Sequence, residues 1–431
     1  MITNFLKTLA ISLAVMLTAV SQQSLLAQQK AVKHTESKPA IANVGLTIPT
    51  GFSAAILITG LGAARHIAVT PQQDIYVRLA KPVNGKGTLV LHENGSKATV
   101  TSGFGNYGGT GIYIKDGYLY SSSTHEIYRY KLNANNEVIN QNAPERIVYG
   151  LLGKWEHETK SITLDNDGNI YVNIGAYSNS CQEHDRQKGS MGIPGCPILD
   201  SAGGIWLFKA NKLNQTYKDG VRFATGLRNV VGLDWNQQDN QLYVTQNGRD
   251  NLNDIFPEMF TAKQNAELPA ECMYALKKGD NAGWPYIYYD YLQHKKIQSP
   301  EYGGNGKKEG DPKYLDPVAI YPAHMAPLGL LFYTGNQFPE KYKNGAFIAF
   351  HGSWNRAPEP QAGYFVVFQP FKNGKPEGQW EVFANGFSGS PANTASGRAE
   401  HRPCGLAQGA DGALYVTDDA KGTIYKITYK H

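Results

Sequence analysis

Charge is sparse in this chain, and cysteine more so. Only 18% of the 431 residues are Asp, Glu, Lys or Arg, and the net charge is +5 with no basic run. That leaves no electrostatic footprint for nucleic acid. There are four cysteines and no Cys-x-x-Cys-His, so no c-type haem is attached to this chain, and no spacing among them matches a zinc site. Beyond the N-terminus no long amphipathic helical pattern occurs. The one apolar run, Leu9 to Val20, is short for a membrane span. Lys7 is the only charged residue before Lys30, and small and polar residues with Ala27 follow the run. Residues 1–27 therefore read as a Sec-type signal peptide, 28–45 as a polar flexible leader, and 46–431 as the mature domain of an exported protein.

What is abundant is glycine, at 46, and tyrosine, at 26, which suit tight turns and half-buried strands. A short phrase recurs about six times: a small and apolar run, a turn, then an apolar-Tyr-apolar strand. Two copies are Ser161-Ile162-Thr163-Leu164-Asp165-Asn166-Asp167-Gly168-Asn169-Ile170-Tyr171-Val172 and Cys404-Gly405-Leu406-Ala407 followed by Asp411-Gly412-Ala413-Leu414-Tyr415-Val416. Each is a hairpin that cannot bury a face by itself. Repeated hairpins of this kind predict an all-β fold, a six-bladed β-propeller of four-stranded antiparallel blades closed by joining its two ends. The marker residues Tyr76, Tyr120, Tyr171, Tyr243, Phe347 and Tyr415 are spaced by 44, 51, 72, 104 and 68 residues. Extra length thus falls in loops after the third, fourth and fifth hairpins, where binding residues tend to sit on rigid scaffolds. The longest insertion, roughly 250–327, carries Trp284 and tyrosines to Tyr291, which either line a sugar site or pack the loop on the rim.

Cys181 and Cys196 bracket a Gly-rich loop and predict a local disulfide. Cys272 and Cys404 are left as either a long-range pair or two buried small hydrophobes. Arg228 sits at the start of the fourth phrase, where an inner strand enters the channel. A guanidinium there needs an answering anion. Arg356 and Arg402 are placed comparably in blades five and six. Three arginines on one rim would match a ligand with several carboxylates; the competing reading is salt bridges between blades. His157, just ahead of the third phrase, is a candidate general base. Gln246-Asn247-Gly248 closes a strand where carbonyls could meet a hard cation.

Gly226-Leu227-Arg228-Asn229, His351-Gly352-Ser353-Trp354-Asn355-Arg356 and His401-Arg402-Pro403-Cys404-Gly405-Leu406 together resemble the glucose/sorbosone dehydrogenase family, over about residues 50–430. The resemblance implies a soluble quinoprotein that binds pyrroloquinoline quinone (PQQ) and calcium over the channel. His157 would be the catalytic base and Arg228 would stabilise the developing oxyanion. Arg228, Asn229 and Gln246 would contact the quinone, Arg356 and Arg402 its carboxylates, and Asn247 and Gly248 the calcium; Glu156, directly before the candidate base, is placed to orient it by position alone, not by the family pattern. The family's first-blade Gln has no counterpart; Gly108-Gly109-Thr110-Gly111 lies near its place. The implied reaction oxidises an aldose or sorbosone-like aldehyde, with electrons leaving to a separate acceptor such as a cytochrome or quinone. The alternatives are a calcium-dependent lactonase-type propeller, which needs carboxylates converging on metal, and a non-catalytic carbohydrate-binding propeller, which needs no base.

Overall fold

The structure, a computed structural model, describes residues 44–430, so the expected signal peptide and nearly all of the leader lie outside the described residues. Six antiparallel sheets make six blades, each starting with its inner strand. Blade 1 is Ala64–Val69, Asp74–Val83, Lys86–Asn94 and Lys97–Phe104. Blade 2 is Ile112–Lys115, Tyr118–Ser122, Ile127–Lys131 and Glu145–Tyr149, with the short strand Gln215–Thr216 added in parallel at its edge. Blade 3 is Ile162–Leu164, Asn169–Ile174, Gly204–Lys209 and Val221–Thr225. Blade 4 is Val230–Asn236, Gln241–Gln246, Glu271–Leu276 and Ala319–Tyr321. Blade 5 is Pro327–Phe332, Ala346–Phe350, Phe365–Gln369 and Glu381–Ala384. Blade 6 takes Pro403–Gln408, Leu414–Asp418 and Thr423–Tyr429 from the C-terminus and its outer strand, Phe52–Ile58, from the N-terminus. That last pairing runs Phe52 to Tyr429 through Ile58 to Ile424 and closes the ring, leaving no raw edge at the seam.

The recurring phrase is the inner hairpin of each blade. In blade 2 its turn is Asp116-Gly117, both at positive φ (50° and 75°), as a two-residue hairpin turn requires. The marker aromatic of each second strand is buried to 3% exposure or less. Buried tyrosine hydroxyls need partners: that of Tyr171 donates to Asp165 (3.0 Å) and that of Tyr243 to Asp239 (2.7 Å).

Two residues after the marker, a polar side chain ties the blade to the next in every blade but the fifth, where Ala349 stands. Ser122 donates to the Lys160 carbonyl at 2.5 Å, Thr245 to the Pro327 carbonyl at 3.1 Å, and Thr417 to the Arg65 carbonyl. Asn173 accepts from the Val230 N–H at 3.3 Å. Glycine is required beside these ties because neighbouring inner strands nearly touch. A Cβ on Gly329 would stand 2.4 Å from the Cys404 carbonyl oxygen, and one on Gly405 2.5 Å from that of Arg65. Within the ring the inner strands enclose a channel cavity of about 220 Å³, apolar except for His66, Tyr113, Asp234 and Gln408. Among the described residues no helix is long and apolar enough to cross a membrane.

Candidate active site at the channel rim

Inner strands begin and second strands end on the same rim, so the loops there converge. Arg228 and Asn229 lead directly into Val230–Asn236, and Gln246 ends the strand beside it. The two are locked together: the Arg228 N–H donates to Gln246 Oε1 (3.0 Å) and the Asn247 N–H to the Asn229 carbonyl (2.9 Å).

The Arg228 side chain is buried at 3% exposure and every arm of its guanidinium is engaged. Nε donates to the Asn179 carbonyl (3.2 Å), Nη1 to the Gly248 carbonyl (2.7 Å) and Nη2 to Asp250 Oδ2 (2.9 Å). Asp250 is the hub of this rim. Its Oδ1 accepts from Asn355 Nδ2 (2.6 Å) and lies 3.4 Å from His324 Nδ1, while Oδ2 lies 3.5 Å from Arg186 Nη1. Burial alone would raise the Asp250 carboxyl, but Arg228, His324 and Arg186 hold it well below the usual carboxylate range. Burial works to lower His324 as well, yet the Asp250 contact raises it, and its Nε2 donates to the Asn265 carbonyl at 2.8 Å.

His157 stands at the edge of this network. Its Nδ1 donates to the Ala176 carbonyl at 2.5 Å, which fixes the tautomer and leaves the Nε2 lone pair available. Nε2 lies 3.8 Å from Glu156 Oε1, and that same oxygen accepts from Arg186 Nη2 at 2.5 Å. Burial first, then the charge of Arg228, lower the imidazole to about 3, so it is neutral at ordinary pH. Glycine at 175 lets this loop close on its neighbour: a Cβ there would be 2.7 Å from the His157 Cβ and 3.2 Å from Asn229 Oδ1.

Arg356 and Arg402 come to the same rim but neither forms a carboxylate pair through its side chain. Arg356 Nη1 donates to the carbonyls of Ala266 (2.7 Å) and Ala323 (3.1 Å). Arg402 donates from Nε to the His351 carbonyl (3.1 Å) and from Nη2 to that of Gly352 (2.7 Å). Among the described residues, Arg228 alone of the three has a carboxylate within 4 Å of its guanidinium.

Cys181 and Cys196 are bridged, which braces the loop carrying Asn179 and Arg186. Cys272 and Cys404 are free and buried, so of the two open readings two small core residues hold and the long-range pair does not. One sits on the third strand of blade 4 and the other on the inner strand of blade 6, on separate blades. The aromatic insertion packs on itself: Trp284 is buried with Nε1 on the Asn179 carbonyl (3.0 Å), and the rings of Tyr286 and Tyr302 meet edge-on at 4.8 Å. A buried pair, Arg249 Nη1 with Glu301 (2.5 and 2.6 Å), anchors it. Sequence reasoning missed Asn179, Arg186, Asp250 and His324, because each acts through partners far away in the chain. Asn355 lay inside a quoted motif without a role.

The family model described as TrAA12-like matches residues 46–430. The chain belongs to the TrAA12-like family. It is 22% identical over 417 residues to a pyrroloquinoline quinone-dependent sugar dehydrogenase of Hypocrea jecorina, covering 89% of this chain and 91% of that one. It is also 28% identical over 279 residues to a pyrroloquinoline quinone-dependent pyranose dehydrogenase of Coprinopsis cinerea, covering 56% of this chain but only 36% of that longer protein. A Borreliella burgdorferi protein without a described function is 28% identical over 330 residues, 74% of this chain and 75% of that one. A calcium structure of the Trichoderma reesei Family AA12 enzyme superimposes with a TM-score of 0.71 at 19% identity, covering 90% of this chain and 97% of the other. The holo PQQ domain of the Coprinopsis pyranose dehydrogenase superimposes with 0.70 at 20% identity, covering 89% and 97%. At such identity the superpositions establish the propeller of this TrAA12-like chain and nothing finer.

Proposed function

We propose that this protein is an exported PQQ-dependent oxidoreductase that oxidises an aldose or sorbosone-like aldehyde. The observation carrying the proposal is His157: a half-buried imidazole held neutral, with one nitrogen committed to a backbone carbonyl and the other free on the rim. A pure binding surface has no need of such a base.

The rim also suits the group the family implies. Four buried side-chain oxygens there, Glu156 Oε2, Asn229 Oδ1, Asn247 Oδ1 and Asn355 Oδ1, have no hydrogen-bond partner. Buried acceptors left unmet are costly, and a hard cation or a ligand donor would satisfy them. Asn229 and Gln246 would hold the quinone, Arg356 and Arg402 its carboxylates, and Asn247 with the Gly248 carbonyl the calcium. The Gly248 carbonyl already receives Arg228 Nη1, so one lone pair remains for a metal. When bound, the quinone supplies a two-electron acceptor and calcium a Lewis acid that polarises it.

This chain's residues supply the rest. His157 Nε2 takes the proton of the substrate hydroxyl as hydride leaves the same carbon. Glu156, 3.8 Å away, stabilises the imidazolium that forms. Arg228, fixed by its three contacts, sets positive charge beside developing negative charge without moving. Electrons then leave to a separate acceptor, a cytochrome or a quinone. A carboxylate-built lactonase centre is less favoured, because Asp250 and Glu156 are taken up by arginines. Glu271, pushed up to about 7 by burial, accepts the N–H groups of Gly248 and Ala326.

The test is dye-linked oxidation of aldoses and sorbosone by the mature protein, with and without PQQ plus calcium. Activity that requires both, and falls at least a hundredfold in His157→Ala with quinone binding retained, is expected. Absence of both quinone binding and activity would refute the proposal.

A further inference from the structure

Two tryptophans project into solvent on loops that build the rim. Trp155 is 81% exposed and Trp354 70% exposed, the two most exposed large apolar side chains among the described residues. Trp206 and Trp284, by contrast, are 5% and 4% exposed. Trp155 immediately precedes Glu156 and His157, and Trp354 immediately precedes Asn355. An indole left in water contributes little to folding, and exposed aromatics beside a site mark a surface that something else covers.

The backbone on which each indole stands is held. Glu156 is fixed by Arg186 at 2.5 Å. Ser353, next to Trp354, bonds through its N–H to the Ala362 carbonyl (2.8 Å), through Oγ to Gln361 (2.8 Å), and through its carbonyl to the Tyr364 hydroxyl (2.5 Å). The two loops are also joined across the rim by the chain Glu156–Arg186–Asp250–Asn355. Held loops presenting bare rings lose little entropy when a ligand settles on them.

We propose that Trp155 and Trp354 are stacking platforms for pyranose rings of an oligosaccharide whose terminal unit reaches His157. This deepens the dehydrogenase reading and rests on it for the identity of the reacting unit. A pyranose is amphipathic in the way this surface is. Its axial C–H groups carry partial positive charge toward the negative face of an indole, and its hydroxyls donate at the ring edge. The residue after each indole in the chain carries a buried acceptor without a partner, Glu156 Oε2 after Trp155 and Asn355 Oδ1 after Trp354. A macromolecular electron acceptor is the competing occupant, and the outcomes below separate it from a sugar.

The experiment has two arms. In the first, cofactor-free full-length protein is titrated with hexamers of β-1,4-linked glucose, xylose and N-acetylglucosamine, and with the monosaccharides, following tryptophan fluorescence. At least one hexamer is expected to shift the emission and to bind about tenfold more weakly in Trp155→Ala and in Trp354→Ala, with partial recovery in the Phe variants. In the second arm, reconstituted enzyme is assayed on the mono- to hexasaccharide series. Expected are a KM that falls with chain length and Ala variants that lose this gain while keeping the monosaccharide kcat. No shift with any hexamer, or a KM independent of length, overturns the platform while leaving the dehydrogenase intact. Variants that are impaired only in electron transfer to a protein acceptor overturn it in favour of a docking role. Oligosaccharide binding through the indoles without any oxidation keeps the platform and removes the dehydrogenase.

Discussion

Replacing Asp250 with Asn removes the one charge that the rim is built around, while keeping the shape of the side chain. Asp250 is, among the described residues, the only acid in direct contact with the Arg228 guanidinium, at 2.9 Å; Glu156 is next at 3.9 Å. It also accepts from Asn355 and faces His324 and Arg186. Removing one partner of a buried pair typically costs about 3–5 kcal/mol. The amide still accepts one hydrogen bond and Glu156 remains nearby, so the lower end, about 3 kcal/mol, is expected. With an unfolding entropy of about 2 cal/mol/K per residue over 44–430, that corresponds to a Tm lowered by about 4 °C in scanning calorimetry. The exposed Asp254, which accepts only from Asn251 (2.7 Å), is the control, and Asp254→Asn should stay within about 0.5 kcal/mol. The sign with pH also follows. The native Asp250 carboxyl titrates below its unfolded value, so its contribution is fully present above about pH 4–5 and is lost as pH falls through the native value. The gap between wild type and Asp250→Asn should therefore close in strong acid, and because Asp250 also raises His324 it should be widest near pH 5–6 and narrow as pH rises through the native His324 value. A Tm within 1 °C of wild type, or simple additivity with Arg228→Gln, would refute the reading of a buried, coupled pair.

Three further outcomes follow from the same geometry. Gly329→Ala pushes a Cβ to 2.4 Å from the Cys404 carbonyl and should destabilise by about 1–3 kcal/mol, read as a lower urea midpoint. Removing the Cys181–Cys196 bridge with a double Ser substitution frees a loop of sequence separation 15. It should cost about 3 kcal/mol by calorimetry, and it should lower activity too because the loop carries Asn179 and Arg186. His66, lowered to about 4 by burial, is neutral in the fold and takes up a proton more readily when unfolded. Relative to His66→Gln, the wild type should thus lose stability as pH drops from about 6.5 toward 4, by on the order of 1 kcal/mol after allowing for its partial opening to the channel; denaturant midpoints at pH 7 and 4.5 measure it.

The ring of blades was legible in the chain because its causes are local. Alternation around Tyr76, Tyr171 or Tyr415, a positive-φ pair such as Asp116-Gly117, and glycine two residues into an inner strand each act within a few residues of themselves. Their repetition fixes the number of hairpins, and closure by Phe52–Ile58 follows from the cost of an open edge. Arg228, Asn229, Gln246 and His157 could be picked out because they flank these hairpins at recognisable places. The tertiary structure alone decided what surrounds them. Asn179 and Arg186 share one loop while Asp250 and His324 come from two others, and no spacing along the chain encodes a meeting of side chains up to about 150 residues apart. The fates of the cysteines divided the same way. Cys181 and Cys196 lie close in the chain and were readable as a pair, whereas separate blades determine that Cys272 and Cys404 stay apart. Backbone pattern is a near-neighbour property; an ionic network depends on where rigid blades bring their loops together.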